Sequence, residues 1–348
     1  MKSLILSGMI EYNISDIDMY LCSSEMASGA VHVFDPEGNG EALDKFDKIH
    51  RSAISTMTFF PKLGLVVSSD IKGMVEYWNP SDGSPFNLDF DLKSETDLYE
   101  FAKKKTRPSC ITASSDNEHF ACMSLDRIVR IFHTRSGRLL REFDESVDRQ
   151  TEIFQRKTAV EKEEEEEEEE EGDKEPMLLL DLIPVMDDVE FGRRIALEKE
   201  LEKTGHLAFE SVIFDEESDN FILYPTMFGI KCLEWRTGKV YNIIGRDESG
   251  QRFLNITMFQ GGTGKRKNIQ EAASENPVFK EEASKSQVDP LLVCTAYKKS
   301  RFYIFSNKEP NLQERDILNE KPDVETSASG KHAKKEETIT NLPTKAIM

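Results

Sequence analysis

Residues 50–80 read HRSAISTMTFFPKLGLVVSSDIKGMVEYWNP, and this stretch decides the fold class. Residues 52–60 alternate toward a β-strand, residues 61–64 (PKLG) form a turn, and residues 65–69 are apolar and β-branched. A second turn over 70–73 leads into residues 74–78, a third short strand. Three short strands in about thirty residues, with a fourth following, make an antiparallel blade.

The pattern recurs along the chain. Residues 108–142 repeat strand, SDNE turn, strand, LDR turn, strand, SG turn and strand. Residues 19–47 contain MYLCSS, GAVHVFD and ALDKFD, and residues 209–245 contain ESVIFD, NFILYPTM, GIKCLEW and KVYNIIG. Residues 253–260 are expected to pair with 291–298 and 301–306 across a long soft segment. That gives five blade-like units, the first and last incomplete.

These units resemble WD repeats, whose blades run to ~40–45 residues. About 220 residues, in 1–143, 204–260 and 288–307, lie outside the insert, the soft segment and the tail, and five such units fit them. The fold class is therefore read as all-β: a WD40-type β-propeller of about five blade-like units, whether complete or incomplete being left open, with a helical and acidic insertion and a disordered C-terminal tail. Propellers close with ~4–8 blades, so five could close a ring. WD blades typically hold a His–Ser/Thr–Asp–Trp hydrogen-bond set. By this resemblance His50 and Trp78 take two slots in the second unit, with Asp70 where the Ser belongs and Lys72 where the Asp belongs. In the third unit Ser124 and Asp126 fit and Phe132 replaces the Trp; in the fourth, Trp235 comes one residue late, after Glu234. All of these are assigned structural roles, with no catalytic residue and no metal ligand among them. Which residues bind a partner is left open.

The chain carries 45 Lys+Arg against 65 Asp+Glu, a formal charge of −20 over 348 residues. Such acidity argues against direct contact with a phosphate backbone. No apolar run approaches the ~18 residues of a membrane span, so no membrane partner is expected. The opening MKSLILSGMI meets Glu11 at once and is not read as a signal peptide. Half of the excess charge sits in residues 161–175, EKEEEEEEEEEGDKE, with twelve acids against two bases. So dense a block repels itself and reads as a solvated insert, with an acidic patch for basic proteins as the rival reading. Cys22, Cys110, Cys122, Cys232 and Cys294 are odd in number and widely spaced without a CxxC pair, which suits small buried thiols in a reducing compartment.

Segments between the blades sharpen the resemblance. They include DLYEFAKKK (97–105), VEFGRRIALEKELEK (189–203), ASENPVFK (273–280), KKSRFYIFSNKEP (298–310) and ILNEKP (317–322). Over about residues 16–155 and 187–322 the chain is similar to the peptidylprolyl isomerase domain and WD repeat-containing family, nuclear cyclophilins associated with the spliceosome. Relative to that family, residues 155–186 look inserted. The resemblance implies a cyclophilin domain with an FHR arginine motif and a GGD turn, and neither occurs in these residues. It therefore implies WD blades over 1–143 (the first partial), an insertion over 144–206 with the Glu-rich run and a helix, and further blades over 207–307 with a 261–287 loop. Residues 308–348 then form a linker or tail toward the isomerase domain.

The expected function is a protein-interaction scaffold, the propeller part of a nuclear, spliceosome-associated prolyl isomerase, with spliceosomal or other nuclear proteins as partners. The chain itself is not expected to be an enzyme, and no cofactor is expected. Two alternatives stand beside it: a shortened version of a protein whose activity is prolyl cis–trans isomerisation, and an acidic chaperone for basic, histone-like proteins. Helix 189–203, with Val189, Ile195 and Leu197 apolar, and the glutamate insert are expected to protrude, while Arg130 and Arg194 read as surface charges. GGTGKRK at 261–267 lacks the Ser/Thr that ends a phosphate loop and reads as a basic loop or a nuclear-import patch. The six histidines show no metal-ligand spacing, and no GxSxG nucleophile turn is present.

Overall fold

A computed structural model describes residues 4–5, 9–12, 18–25, 28–35, 38–86, 88–90, 92–166, 186–215, 219–246, 251–259 and 290–306, with side chains from residue 28 onward and not over 159–166. The 261–287 loop, most of the glutamate run and the 308–348 tail fall outside these residues, as does the side chain of Cys22. The chain divides into two compact units: Met1–Ile256 with Cys294–Ser300, and Thr257–Val293 with Arg301–Met348. The described part of the second unit consists of the ends of two strands and one whole strand, Phe302–Ser306, and the sites argued below lie in the first.

Five antiparallel sheets follow one another along the chain. The first contains β1 (Leu4–Ile5), β2 (Met9–Tyr12), β3 (Asp18–Glu25), β4 (Val31–Phe34) and β5 (Ala42–Phe46), in the order β1-β3-β4-β5 with β2 also on β3. The second is β6 (Ile54–Phe60), β7 (Leu65–Asp70) and β8 (Val75–Trp78). Its expected fourth strand is reduced to one bridge, Trp78 opposite Pro85, because Pro85 has no N–H to continue a ladder. After the short helix α1 (Glu100–Lys103), the third sheet has four strands: β9 (Pro108–Ala113), β10 (His119–Ser124), β11 (Ile128–His133) and β12 (Arg138–Asp144). Helices α2 (Val147–Glu166) and α3 (Asp188–Thr204) come next. The fourth sheet is β13 (Ile213–Phe214), β14 (Phe221–Thr226), β15 (Gly229–Glu234) and β16 (Lys239–Ile244), and the fifth is β17 (Phe253–Phe259), β18 (Leu291–Ala296) and β19 (Phe302–Ser306).

Local chemistry explains the second sheet. Gly64 (φ 65°) closes the β6–β7 turn by donating to Phe60 O at 2.8 Å. Gly73 (φ 77°) does the same at Asp70 O, and a Cβ there would lie 2.3 Å from Thr106 O, so no other residue fits. Between these turns β7 reads LVVSSD and every residue is buried. A strand buried on both faces needs sheets on both sides. Val66 packs toward Val31, Val33 and Trp78, while Leu65 and Val67 pack with Ile111, Phe120 and Phe132 of the third sheet. In β10 the alternation repeats: Phe120 and Cys122 meet the second sheet, and Ala121 and Met123 meet Val212, Phe214 and Tyr224 beside the fourth.

The first strands of successive sheets are also joined by side chain to backbone. Thr58 Oγ1 donates to Ile111 O (2.5 Å), Thr112 Oγ1 to Val212 O (2.7 Å), and Ile256 N to Ser211 Oγ (2.8 Å). The same step from sheet two to three, three to four and four to five aligns inner strands side by side, as blades of a propeller are aligned.

The insertion is more ordered than its composition suggests. Helix α2 extends through Glu166, taking in the first four glutamates of the run, and buries Ile153 and Phe154 in the core between sheets three and four. Helix α3 starts at Asp187, whose side chain accepts from Glu190 N, and stops at Gly205 with φ 72°. It does not protrude. Phe191, Arg194, Glu198 and Leu201 are buried at three- and four-residue spacing, whereas Val189 is 61% exposed. Phe191 stacks on Phe154 at 3.9 Å between centroids. Arg130 and Arg194, expected at the surface, are both buried, because each finds oxygen partners inside. Among the described residues no helix is long and apolar enough to cross a membrane, and Cys110, Cys122, Cys232 and Cys294 are thiols not joined in disulfides.

Candidate functional site

The polar residues singled out from the sequence occupy three places. In the second sheet His50, at the end of the segment leading into β6, and Trp78, the last residue of β8, share one hydroxyl. His50 Nε2 lies 2.7 Å from Ser68 Oγ, and Trp78 Nε1 donates to the same oxygen at 2.9 Å. The hydroxyl position thus belongs to Ser68, two residues before the position expected. Asp70 supplies the carboxylate in place of Lys72: its Oδ2 accepts from Ser52 Oγ at 2.5 Å and lies 3.8 Å from His50 Nδ1. Its Oδ1 accepts from Lys72 N and Met74 N, closing the β7–β8 turn. Burial raises the carboxyl pKa of Asp70, but the nearby His50 imidazole and the hydrogen bonds from Ser52 and Met74 N outweigh it and hold it at about 2.

A serine, a histidine and an aspartate so placed superficially match a hydrolase triad. The comparison fails on access and on bonding. Ser68 is fully buried, its oxygen already accepts the indole proton, and Asp70 is beyond hydrogen-bond reach of the imidazole. These side chains tie three segments of one sheet together.

In the third sheet Ser124 and Asp126 do a different job. Ser124 Oγ donates to Asp126 Oδ1 (2.7 Å) and accepts from Arg130 Nη1 (2.6 Å), while Arg130 Nη2 reaches Asp126 Oδ2 (2.6 Å) and its Nε reaches Glu142 Oε1 (2.9 Å). Phe132 stands opposite Phe120 as Trp78 stands opposite Val66, and by the same register Cys122 stands where Ser68 does. A phenyl ring has no N–H to satisfy, so the buried hydroxyl is dispensable there; the ring stacks on Phe120 at 5.1 Å instead. In the fourth sheet Trp235 Nε1 donates to Asp219 O at 2.7 Å.

A third constellation was not legible in the sequence. Glu198 of α3 accepts from Arg127 Nε (3.2 Å), and its main-chain oxygen accepts from Arg127 Nη2 (2.9 Å). Arg252, just before β17, bonds both Glu198 and Glu210, which lies three residues before the fourth sheet begins at Ile213. All four residues are buried. Beside them Glu145 accepts from Tyr224 OH (2.9 Å), Gln150 Nε2 (2.8 Å) and Lys231. Arg127, Glu145, Glu198, Glu210 and Arg252 line a cavity of about 10 Å³, roughly the room of one water. The partners are 71, 54 and 42 residues apart in sequence, and only the 3–4 spacing of Arg194, Glu198 and Leu201 hinted at a buried face on α3.

Among the described residues, Asp116, Glu118 and His119 bring their ligand atoms within 4.8 Å of one another. Asp116 Oδ1 is taken by Ser114 Oγ and Glu118 N, which builds the β9–β10 turn. The group is accounted for by that turn.

Antiparallel sheets with shared buried strands, inner strands joined in sequence, and an imidazole–hydroxyl–indole link within a blade define a WD-repeat protein of the β-propeller class. The chain is 39% identical over 312 residues to peptidyl-prolyl cis-trans isomerase cyp15 of Rhizopus delemar, covering 87% of this chain and 45% of that protein. It is 36% identical over 316 residues to human peptidylprolyl isomerase domain and WD repeat-containing protein 1, covering 88% and 44%. With peptidyl-prolyl cis-trans isomerase CYP71 of Arabidopsis thaliana it shares 34% identity over 356 residues, 99% of this chain and 52% of that one. The chain thus spans about half the length of the curated relatives it matches, and the matched half is their WD part. No family model matches. Among solved structures, Saccharomyces cerevisiae Sqt1 aligns at a TM-score of 0.41 and 11% identity over 80% of this chain and 53% of that one.

Proposed function

We propose that this chain is a protein-interaction scaffold serving spliceosomal or other nuclear assemblies, and that prolyl isomerisation belongs to the part of its relatives that it does not match. One observation carries the reading: the two constellations that look reactive, Ser68 beside His50 and Arg130 beside Asp126, are consumed inside the fold. Ser68 is fully buried between His50 and Trp78, and Arg130 is buried against Asp126 and Glu142. Lowering the ~18–20 kcal/mol barrier of a peptide bond needs a polar group that a substrate can reach. The sheets instead present edges and loops, the means by which a rigid fold binds other proteins.

Two assays on residues 1–348 test this reading. Proline isomerisation in a test peptide is expected to proceed at the uncatalysed rate, and measurable turnover would refute it. Tagged chain in nuclear extract is expected to enrich spliceosomal proteins over a tag-only control, and equal recovery would remove the assignment.

A further inference from the structure

Glu210 combines three features that the scaffold reading does not use. Its side chain is fully buried, one oxygen is bonded to Arg252, and Oε2 has no hydrogen-bond partner. It lines the small cavity with Glu145 and Glu198, so three carboxylates converge on a space of about 10 Å³.

The groups facing Glu210 come from every element packed on it. Arg252 reaches it from the start of β17, Arg127 from the β10–β11 turn, Glu198 from α3, and Glu145 from the end of β12 with Lys231 and Tyr224 behind it. Ser109 of β9 donates only to its main-chain oxygen, at 2.9 Å. Arg252 is shared: Nε goes to Glu198 on α3 and Nη2 to Glu210. Glu198 is also the anchor through which Arg127 holds α3.

We infer that Glu210 is a proton-dependent latch for helix α3. With a proton on Oε2, the side chain becomes a neutral donor into the cavity and leaves Glu198 as the anion between Arg127 and Arg252. Without that proton, Glu210 is a second buried carboxylate that repels Glu198 and competes with it for Arg252. The hold on α3 then weakens, and Phe191 and Leu201 follow the helix away from their pockets.

The direction of the pH dependence follows from the proton count. Burial first, and then the nearby Glu198, raise the Glu210 carboxyl from 4.5 to about 7 against the pull of Arg252 and Arg127. A raised acid keeps its proton longer in the docked state than in the undocked one. Docking is therefore strongest below pH 4.5, weakens as pH rises, and levels off above about 7.

The test is amide hydrogen exchange of α3 in the full chain between pH 5 and 8, corrected for the intrinsic base catalysis of exchange. Protection over residues 191–201 is expected to fall roughly seventyfold, at close to tenfold per unit before levelling. In Glu210→Gln, which keeps the oxygen facing Arg252 and cannot ionise, protection is expected to stay level. An equal fall in both proteins, or none in the unaltered one, would overturn the latch. Should the variant fail to fold, infrared spectra of the unaltered chain decide: a buried protonated-carboxyl stretch at pH 5 that is lost by pH 8 is expected, and its absence at pH 5 overturns the proposal.

Discussion

Replacing Ser68 with alanine removes one oxygen and leaves two buried groups without their shared partner. His50 Nε2 and Trp78 Nε1 are both buried and both bonded to that hydroxyl. The substitution opens little space, so the cost is dominated by stranded polar groups at about 1–3 kcal/mol each, or about 3 kcal/mol together. At ~2–4 °C per kcal/mol for a fold of this size, the melting midpoint should drop by roughly 6–12 °C. The assay is urea and thermal unfolding followed by Trp fluorescence, in which Trp78 reports on its own surroundings; the chain has 2 tryptophans, so Trp235→Phe isolates the signal. Trp78→Phe supplies the second arm of a double-mutant cycle, in which unfolding of all four proteins is followed by circular dichroism because no tryptophan reports on that site in the Trp78→Phe background. With no indole proton left to satisfy, Ser68→Ala should cost about half as much in that background. A loss below ~0.5 kcal/mol in the original background, or full additivity of the two substitutions, would refute the shared-hydroxyl account.

Other expectations follow from the same interactions. Asp70 is held at about 2 against an ordinary 3.8. Its contribution of about 2 kcal/mol is complete above pH 4 and is lost between pH 4 and 2; acid titration of Asp70→Asn should lack that component. Phe191→Ala removes the ring stacked on Phe154 and should cost about 3–5 kcal/mol by urea unfolding, with α3 amides exchanging faster than those of β10. Arg252→Met leaves Glu198 and Glu210 without their shared cation and should destabilise by about 3–5 kcal/mol; simultaneous Glu198→Leu should restore part of that loss. Deleting residues 162–174 tests the acidic-chaperone reading: abolished binding to histone or Arg-rich peptides supports it, and unchanged binding removes it.

Features that depend on residues close together in the chain could be read from the order of amino acids alone. Turn residues such as Gly64 and Gly73, strands of period two, and apolar runs for doubly buried strands mark blades wherever they recur, because backbone geometry and burial act over a few residues. His50 and Trp78 were legible because their spacing around two hairpin turns is local. The identity of their partner was not, since Ser68, Ser69 and Asp70 are all candidates in one dimension and only strand register sets Ser68 before the indole. Likewise the burial of Arg130 and Arg194 is not legible in sequence: charge argues for a surface, and only a fold that brings Asp126, Glu142 or Met227 O to the guanidinium makes burial tolerable. Ile153 and Phe154 stand beside the glutamate run in sequence, and their burial needs sheets three and four already in place. The Arg127–Glu198–Arg252–Glu210 cluster belonged wholly to the tertiary structure. A buried charge is stable only beside its counter-charge, and here the partners come from separate segments that meet only when sheets and helix have packed.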